Sequence, residues 1–364
     1  LVAVYRDAHA FSSDKKVEFT PKYGAGSPLL AHHTTSLVFN DPPLHTRVRK
    51  LIMGALTRRA IADMEPGLVL LVESLLDAIE AKGGGDLIED FASAIPVEII
   101  GNLLAVPREE RGPLPGWSLA ILGALEPKLT REQEDLGNRS VREFLDYLQV
   151  LVADRRRHPG DAEHDVLTRL IQGESGGEKL SEAELLQNCI FILNAGHETT
   201  TNLIGNALVA LQEWPGQKDQ LVRTIGKAPD WNALEPAMTL AVDEFLRFES
   251  SNQLGNRRAG HACGGGGGGV PEGALGVVGI GAANRDPAQF ANPDMLDLAR
   301  ENNRHLAFGF GIHQCAGLSL ARLEGRVAIG RFLARFPRYR LTEAPTRGGR
   351  ARFRGFLAAP FAVA

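Results

Sequence analysis

Phe308-Gly309-Phe310-Gly311-Ile312-His313-Gln314-Cys315-Ala316-Gly317, followed at once by a helix-like run from Leu318 to Phe336, is the stretch on which the reading of this 364-residue chain turns. Small glycines let a loop pass close to a flat partner. A cysteine just ahead of a helix N-terminus has its thiolate favoured by the positive end of the macrodipole. One cysteine held this way, with no second Cys or His at metal-finger spacing, suits the axial ligand of a haem iron. A buried cysteine in a glycine turn fits the stretch equally well. The rest of the chain has to decide.

The length permits a large core and would allow two domains. Hydrophobic residues make up 44% and charged residues 23%, ordinary for a globular protein. A formal net charge of -4 argues against a nucleic-acid partner. Cys189, Cys263 and Cys315 are far apart and odd in number, so no disulfide framework is indicated and a reducing, cytoplasmic setting is expected. No signal peptide and no long apolar run appears, so no membrane span is expected. The opening Leu1-Val2-Ala3-Val4-Tyr5 has no initiator Met and reads as the middle of a fold, so an earlier N-terminal portion is expected to be missing.

Most of the chain reads as helix. Ile61 to Ala81 carries apolar residues at helical spacing and stops at Gly83-Gly84-Gly85. Further stretches run over Phe91 to Leu104, Arg131 to Arg157 and Asp165 to Gln172. The longest opens with a capping box, Ser181 with Glu184, and persists to Glu213 before Trp214-Pro215 ends it. Pro236 to Phe248 is another, and Gly273 to Ala282 and Asn284 to Asn303 read as strands and loops. Six glycines, Gly264 to Gly269, stand where a strand is expected and form strands poorly, so they carry no functional weight. With no internal repeat and no linker, residues 1–364 are expected to form one mainly helical domain with a small β-sheet region.

Three further motifs bear on the cysteine. Ala195-Gly196-His197-Glu198-Thr199-Thr200 lies inside the long helix, where an interior glycine costs about 1 kcal/mol and suggests close approach of a partner. An acid followed by threonines can hold water and pass protons, although a solvated polar turn fits as well. Glu244-Phe245-Leu246-Arg247 puts two charges on one helical face, a common surface pattern. In Asp41-Pro42-Pro43-Leu44-His45-Thr46-Arg47-Val48-Arg49, His45 and Arg49 sit one above the other on a helix started by prolines. They could grip one carboxylate and His313 another, or simply be a solvated basic helix start.

Taken in this order, with Phe11-Ser12-Ser13 before them and Ala282-Ala283-Asn284-Arg285-Asp286-Pro287 ahead of the cysteine loop, these motifs resemble the soluble bacterial cytochromes P450 essentially end to end. The resemblance implies the P450 fold and haem b as cofactor, with Cys315 as the thiolate ligand of the iron and Gly317 beside it. It implies that His45, Arg49, Arg257 and His313 bind the haem propionates. Glu244 and Arg247 would form a structural pair locked to Arg300. Thr199 would donate on the distal side, Glu198 would relay protons through water, and Ala195 and Gly196 would leave room for oxygen and substrate.

The implied reaction is a monooxygenation using O2 and two electrons from a separate partner, a ferredoxin with its ferredoxin reductase. Arg47, Lys50, Arg58, Arg59, Arg322 and Arg326 would offer that partner a basic patch. Leu37, Val38, Leu125, Leu254 and Phe356 would line a pocket for a small-to-medium hydrophobic organic substrate. The rivals are a peroxide-driven haem-thiolate hydroxylase or isomerase, a haem-based sensor, and a haemless binding protein on the same scaffold, against which the intact Cys315 loop speaks.

Overall fold

In the computed structural model the described residues are 11–12, 22–162, 165–175, 178–265 and 268–363. Ser13 and the two middle glycines, 266–267, of the stretches discussed above lie outside them. The helices in chain order are α1 (Pro28–Thr35), α2 (Leu44–Ala55), α3 (Arg58–Lys82), α4 (Ala94–Leu103), α5 (Leu114–Gly123), α6 (Arg131–Arg157), α7 (Val166–Gln172), α8 (Glu182–Glu213), α9 (Pro215–Lys227), α10 (Trp231–Phe248) and α11 (Leu318–Arg335). The strands are short: β1 (Phe11–Ser12), β2 (Gly84–Asp86), β3 (Glu174–Ser175), β4 (Glu178–Lys179), β5 (Leu254–Ala259), β6 (Cys263–Gly265), β7 (Gly268–Val270), β8 (Leu275–Gly279), β9 (Arg340–Leu341), β10 (Thr346–Arg347), β11 (Phe356–Ala358) and β12 (Pro360–Ala362).

Local chemistry sets the helix ends. The Thr130 and Ser181 hydroxyls accept from the backbones of Gln133 and Glu184, whose side chains accept from the cap backbones in return. Gly83, at φ +76°, terminates α3 in the left-handed region that glycine enters freely. Two boundaries differ from expectation. α10 starts at Trp231 rather than Pro236, because the Asp230 carboxylate accepts from Ala233 N at 2.9 Å, and Pro236 sits in its second turn. The segment expected as helix from Phe91 starts as a π-helical turn, Leu87–Ala92, capped by Asp86, before α4 proper.

The strand expected over Gly273 to Ala282 is β8 followed by a helical turn, Ile280–Ala283. In the glycine-rich segment β6 pairs antiparallel with β7, with Cys263 opposite Val270 and Gly264 opposite Gly269.

Two three-stranded antiparallel sheets, β1-β5-β8 and β2-β12-β9, flank the helices, and β10 pairs with β11 as a separate hairpin. The axis of the molecule is α8, 32 residues or about 48 Å long. From Thr200 to Leu211 every residue of α8 is buried, as befits a helix covered on all sides, and it packs against α4, α5, α6 and α11. No described helix is long and apolar enough to cross a membrane.

Candidate active site

The cysteine loop is built to leave one side bare. Gly309 and Gly311 have φ of +67° and +76°, a region that only glycine enters without strain. A side chain at Gly311 or Gly317 would meet nothing within 4 Å, and one at Gly309 only the His313 carbonyl oxygen at 3.8 Å. The loop is pinned by Cys315 N donating to Phe308 O at 2.8 Å and by Leu306 N donating to Asn284 Oδ1 at 2.7 Å. Gly317 then opens α11. Burial pushes the Cys315 thiol up, while the Gly317 N–H, Arg49 and Arg322 pull the other way. A bound cation would tip that balance to thiolate.

Behind the loop lies a buried charge network. Glu244 and Arg247 are both fully buried. The Glu244 carboxylate accepts from Arg247 Nε and Nη2 at 2.7 and 2.8 Å, from Arg300 Nε and Asn303 Nδ2 at 3.0 Å each, and from Asp297 N at 2.9 Å. Arg247 donates onward to the carbonyls of Asn284 and Pro293, both at 2.8 Å, and Met295 at 3.0 Å. The Glu244 carboxylate and the Arg247 guanidinium are both fully hydrogen-bonded, which a buried ion pair requires. Because Asn284 also holds Leu306 N, the network reaches directly into the segment that carries Cys315.

The four basic residues expected around two carboxylates come from three distant segments and gather near Asp41. His313 Nε2 lies 3.2 Å from Asp41 Oδ1, and the His45 and His313 rings sit 4.3 Å apart. Burial first, then His313 and Arg49, hold the His45 imidazole low, at about 4, against Asp41 and the Ile312 backbone, which pull it up. Burial likewise lowers Arg257, against the pull of Asp41, whereas Arg258 on the alternate face of β5 sits beside Gly273. A buried imidazole and a second histidine beside it, with two arginines and one Asp close by, make a cluster that an anionic group would satisfy. The bare glycine loop, the single thiol and this cluster fit a thiolate-held haem with two propionates.

On α8, Ala195 and Thr199 share a face. Thr199 Oγ1 donates to Ala195 O at 2.7 Å, and the Thr199 carbonyl accepts from Ser251 Oγ at 2.8 Å. Glu198 turns elsewhere: Arg350 Nη1 donates to its Oε1 at 2.5 Å while Arg350 Nη2 donates to Leu119 O at 3.2 Å. Burial pushes the Glu198 carboxyl up and Arg350 opposes it.

Gly196 departs from expectation. A side chain there would come within 2.3 Å of Ile100 Cδ1, so this glycine lets α4 approach α8 and does not make room for oxygen. His197 is also turned away, its Nε2 at 3.3 Å from Ser93 Oγ, and burial lowers it to about 4.

The expected pocket residues are only partly brought together. Arg352 donates to the carbonyls of Leu125 and Leu254 at 3.4 and 2.9 Å, tying those two to the β10–β11 hairpin that carries Phe356. Val38 is partly exposed, but Leu37 is 3% exposed and packed into the core, so it is no pocket wall. The expected basic patch is also depleted. Arg47 pairs with Glu184 at 2.5 Å, Arg322 with Asp243 at 2.7 Å, and Arg326 with Glu235.

Three residues escaped the sequence reading: Asp41, Arg350 and Glu324. Glu324 sits on α11, hydrogen-bonded to Thr200, and burial pushes its carboxyl up to about 8. Asp41 was quoted only as part of its motif, and nothing local marks the other two.

Comparison with known proteins agrees with this geometry. A family model described as Cytochrome P450 matches residues 122–345. Cytochrome P450 107B1 of Saccharopolyspora erythraea is 38% identical over 320 residues, covering 88% of this chain and 73% of that protein. The polyketide biosynthesis cytochrome P450 PksS of Bacillus subtilis is 34% identical, covering 95% of this chain and 83% of its own length. Among solved structures, P450BioI, crystallised with an acyl carrier protein ligated to hexadec-9Z-enoic acid, superposes with a TM-score of 0.89 at 32% identity, over 98% of this chain and 88% of that one. Likeness of this extent, in sequence and in helical frame alike, makes the chain a member of the cytochrome P450 family of haem-thiolate monooxygenases.

Proposed function

We propose that this P450 hydroxylates a small-to-medium hydrophobic organic substrate with electrons from a separate ferredoxin-type partner, and that Cys315 is its iron ligand. The observation that carries the reading is the cysteine loop: a single thiol with the Gly317 N–H and Arg49 acting on it, on a loop whose glycines leave one side open. Bound haem supplies the oxygen activation, consuming two electrons and two protons and inserting one oxygen atom. Everything else falls to the chain.

His45, Arg49, Arg257 and His313 hold the propionates, and a propionate beside His45 offsets the burial of its imidazole. The Glu244–Arg247–Arg300 network fixes the loop from behind. Thr199, whose hydroxyl rests on the Ala195 carbonyl, is the donor on the distal face, and Glu198 holds and passes the protons. Leu125, Leu254 and Phe356, with Val38 at the rim, orient an apolar substrate and exclude water. Electron delivery uses what remains of the basic surface, namely Lys50, Arg58 and Arg59, the last only loosely set against Asp63 at 3.9 Å.

A carrier-bound acyl chain is the second reading. It is favoured by the likeness to P450BioI, whose complex holds an acylated carrier protein, and to the polyketide enzyme PksS.

The test is the absorption spectrum of the reduced protein with carbon monoxide, before and after a panel of apolar compounds, free fatty acids such as lauric acid and the same chains on an acyl carrier protein. The red-shifted band of a thiolate-ligated ferrous–CO haem supports Cys315 as ligand, and a histidine-type spectrum refutes it. A low-to-high spin shift with free compounds supports the first substrate reading. A shift only with carrier-bound chains supports the second.

A further inference from the structure

Beside the Glu244 network, three side chains form a second cluster behind the cysteine loop. Asp243, next to Glu244 on α10, accepts from Arg322 Nε of α11 at 2.7 Å and faces His305 Nε2 at 3.4 Å. Ala307 N donates to His305 Nδ1 at 3.3 Å, which puts the ring proton on Nε2, toward the Asp243 carboxylate. Burial alone would push that carboxyl up; the bonds from His305 and Arg322 outweigh it and hold the group below its ordinary value. Both donors lie against Phe308. The Arg322 guanidinium carbon is 4.9 Å from the centre of the Phe308 ring, and the His305 ring centre is 5.6 Å from it. Phe308 in turn accepts the Cys315 N–H through its carbonyl.

The charge on Arg322 reaches the thiol. Of the two arginines that act on Cys315, Arg49 faces a propionate under the reading above, which leaves Arg322. Its side chain is 28% exposed and that of Asp243 18%, so solvent screens the pair only in part. A positive charge near the iron favours the reduced state, which carries one negative charge more, and a negative charge disfavours it. The two members of this ion pair therefore act on the iron with opposite sign.

We propose that Arg322 and Asp243 set the reduction potential of the iron: Arg322 raises it from behind Phe308, and Asp243 is the positioning residue that holds Arg322 there and offsets part of its charge. The inference rests on the reading of Cys315 as the iron ligand. The step it governs is the first electron transfer, in which the donor gives up one electron and the iron takes it. An arginine engaged by Asp243 and stacked on Phe308 serves the iron before it serves the docking face.

The test is the midpoint potential of the haem-loaded protein, measured by dye-mediated spectroelectrochemistry at one pH and one salt concentration. Wild type, Arg322→Gln, Asp243→Asn and the double variant are compared. Arg322→Gln is expected to shift the ferric–ferrous equilibrium three- to tenfold toward ferric, about 30–60 mV to lower potential. Asp243→Asn leaves Arg322 charged without its counter-ion and is expected to shift the equilibrium the other way, with the double variant between the two. Arg322→Lys keeps the charge and is expected to recover at least half of the shift. Looser packing of the loop would move both single variants in the same direction. Shifts of the same sign, or an Arg322→Gln shift below about 1.5-fold, overturn the proposal. If Asp243→Asn loads no haem, Arg322→Gln and Arg322→Lys carry the test, and equal shifts in the two overturn it.

The ferrous–CO spectrum is recorded on every variant. A thiolate-type band with potentials that do not split refutes the role of the ion pair and leaves Cys315 standing. A histidine-type band in the wild type removes Cys315 as ligand and the proposal with it.

Discussion

Glu324 offers a stability measurement in which unrelated groups cancel. It is 3% exposed on α11, its carboxyl bonded to Thr200 of α8, and burial pushes it up to about 8. In the unfolded chain the same group titrates near its ordinary value of about 4.3. Between those values the unfolded chain has released a proton that the folded protein still holds. Stability therefore falls as pH rises, by about 1.4 kcal/mol per pH unit, and the loss is complete once pH passes the folded value. From pH 5.5 to 7.5 the Glu324 contribution amounts to about 2–3 kcal/mol.

Glu324→Gln keeps the shape, is neutral throughout and removes that slope. The assay is urea denaturation of wild type and variant at both pH values, followed by tryptophan fluorescence. The variant should gain on the wild type by about 2–3 kcal/mol between the two, roughly 1 M in midpoint at a slope near 3 kcal/mol/M. Every other titrating group is common to both proteins and drops out of the double difference. A double difference below about 0.5 kcal/mol would mean that Glu324 ionises at ordinary pH in the folded protein, and the reasoning would fail.

Cys315→Ser should abolish the thiolate-type ferrous–CO spectrum and turnover even where some haem stays bound; an unchanged spectrum would remove Cys315 as ligand. Thr199→Ala should divert electrons to peroxide with little change in probe affinity, read as product formed per NAD(P)H consumed, and undiminished coupling would take Thr199 out of proton delivery. Glu244→Ala leaves the Arg247 charge buried without its partner and should cost about 3–5 kcal/mol, a large part of the stability of most domains. Little folded, haem-loaded protein is the expected yield, and a stable active variant would contradict the structural role.

Much of this frame is written locally in the sequence. Arg131–Arg157 is legible to the residue because its cap, Thr130 with Gln133, and its three closing arginines are all neighbours in the chain. The cysteine loop is legible for the same reason, since its glycines and thiol act within ten residues. Glu244 and Arg247 were visible as a pair, but nothing in a four-residue motif told a surface pair from one with no exposure at all. The Arg350–Glu198 contact spans 152 residues and depends on how a hairpin folds over a helix, so spacing could not reveal it. Gly196 misled because a helix glycine signals close approach without saying of what; here it is Ile100. Short helices such as α1 and α5 went unread, being too brief or too uniformly apolar for their period to stand out.

The way Arg247 spends its donors has an evolutionary consequence. Apart from Glu244, it binds the main chain at Asn284, Pro293 and Met295, and Arg300 adds a bond to the carbonyl of Ala291. Carbonyl groups survive almost any mutation. The irregular stretch between Asn284 and Arg300 can therefore exchange most of its side chains while its path, and the seat of the cysteine loop beyond it, stays fixed. Asn284, whose amide also bonds Ser250 and Leu306, and Arg285, which donates to Asp294 and to the Phe248 carbonyl, are tied by their side chains as well, and Phe290, Leu296 and Leu298 by burial. The exposed side chains of such a segment are free to drift in charge and shape at little cost to the geometry behind the thiol.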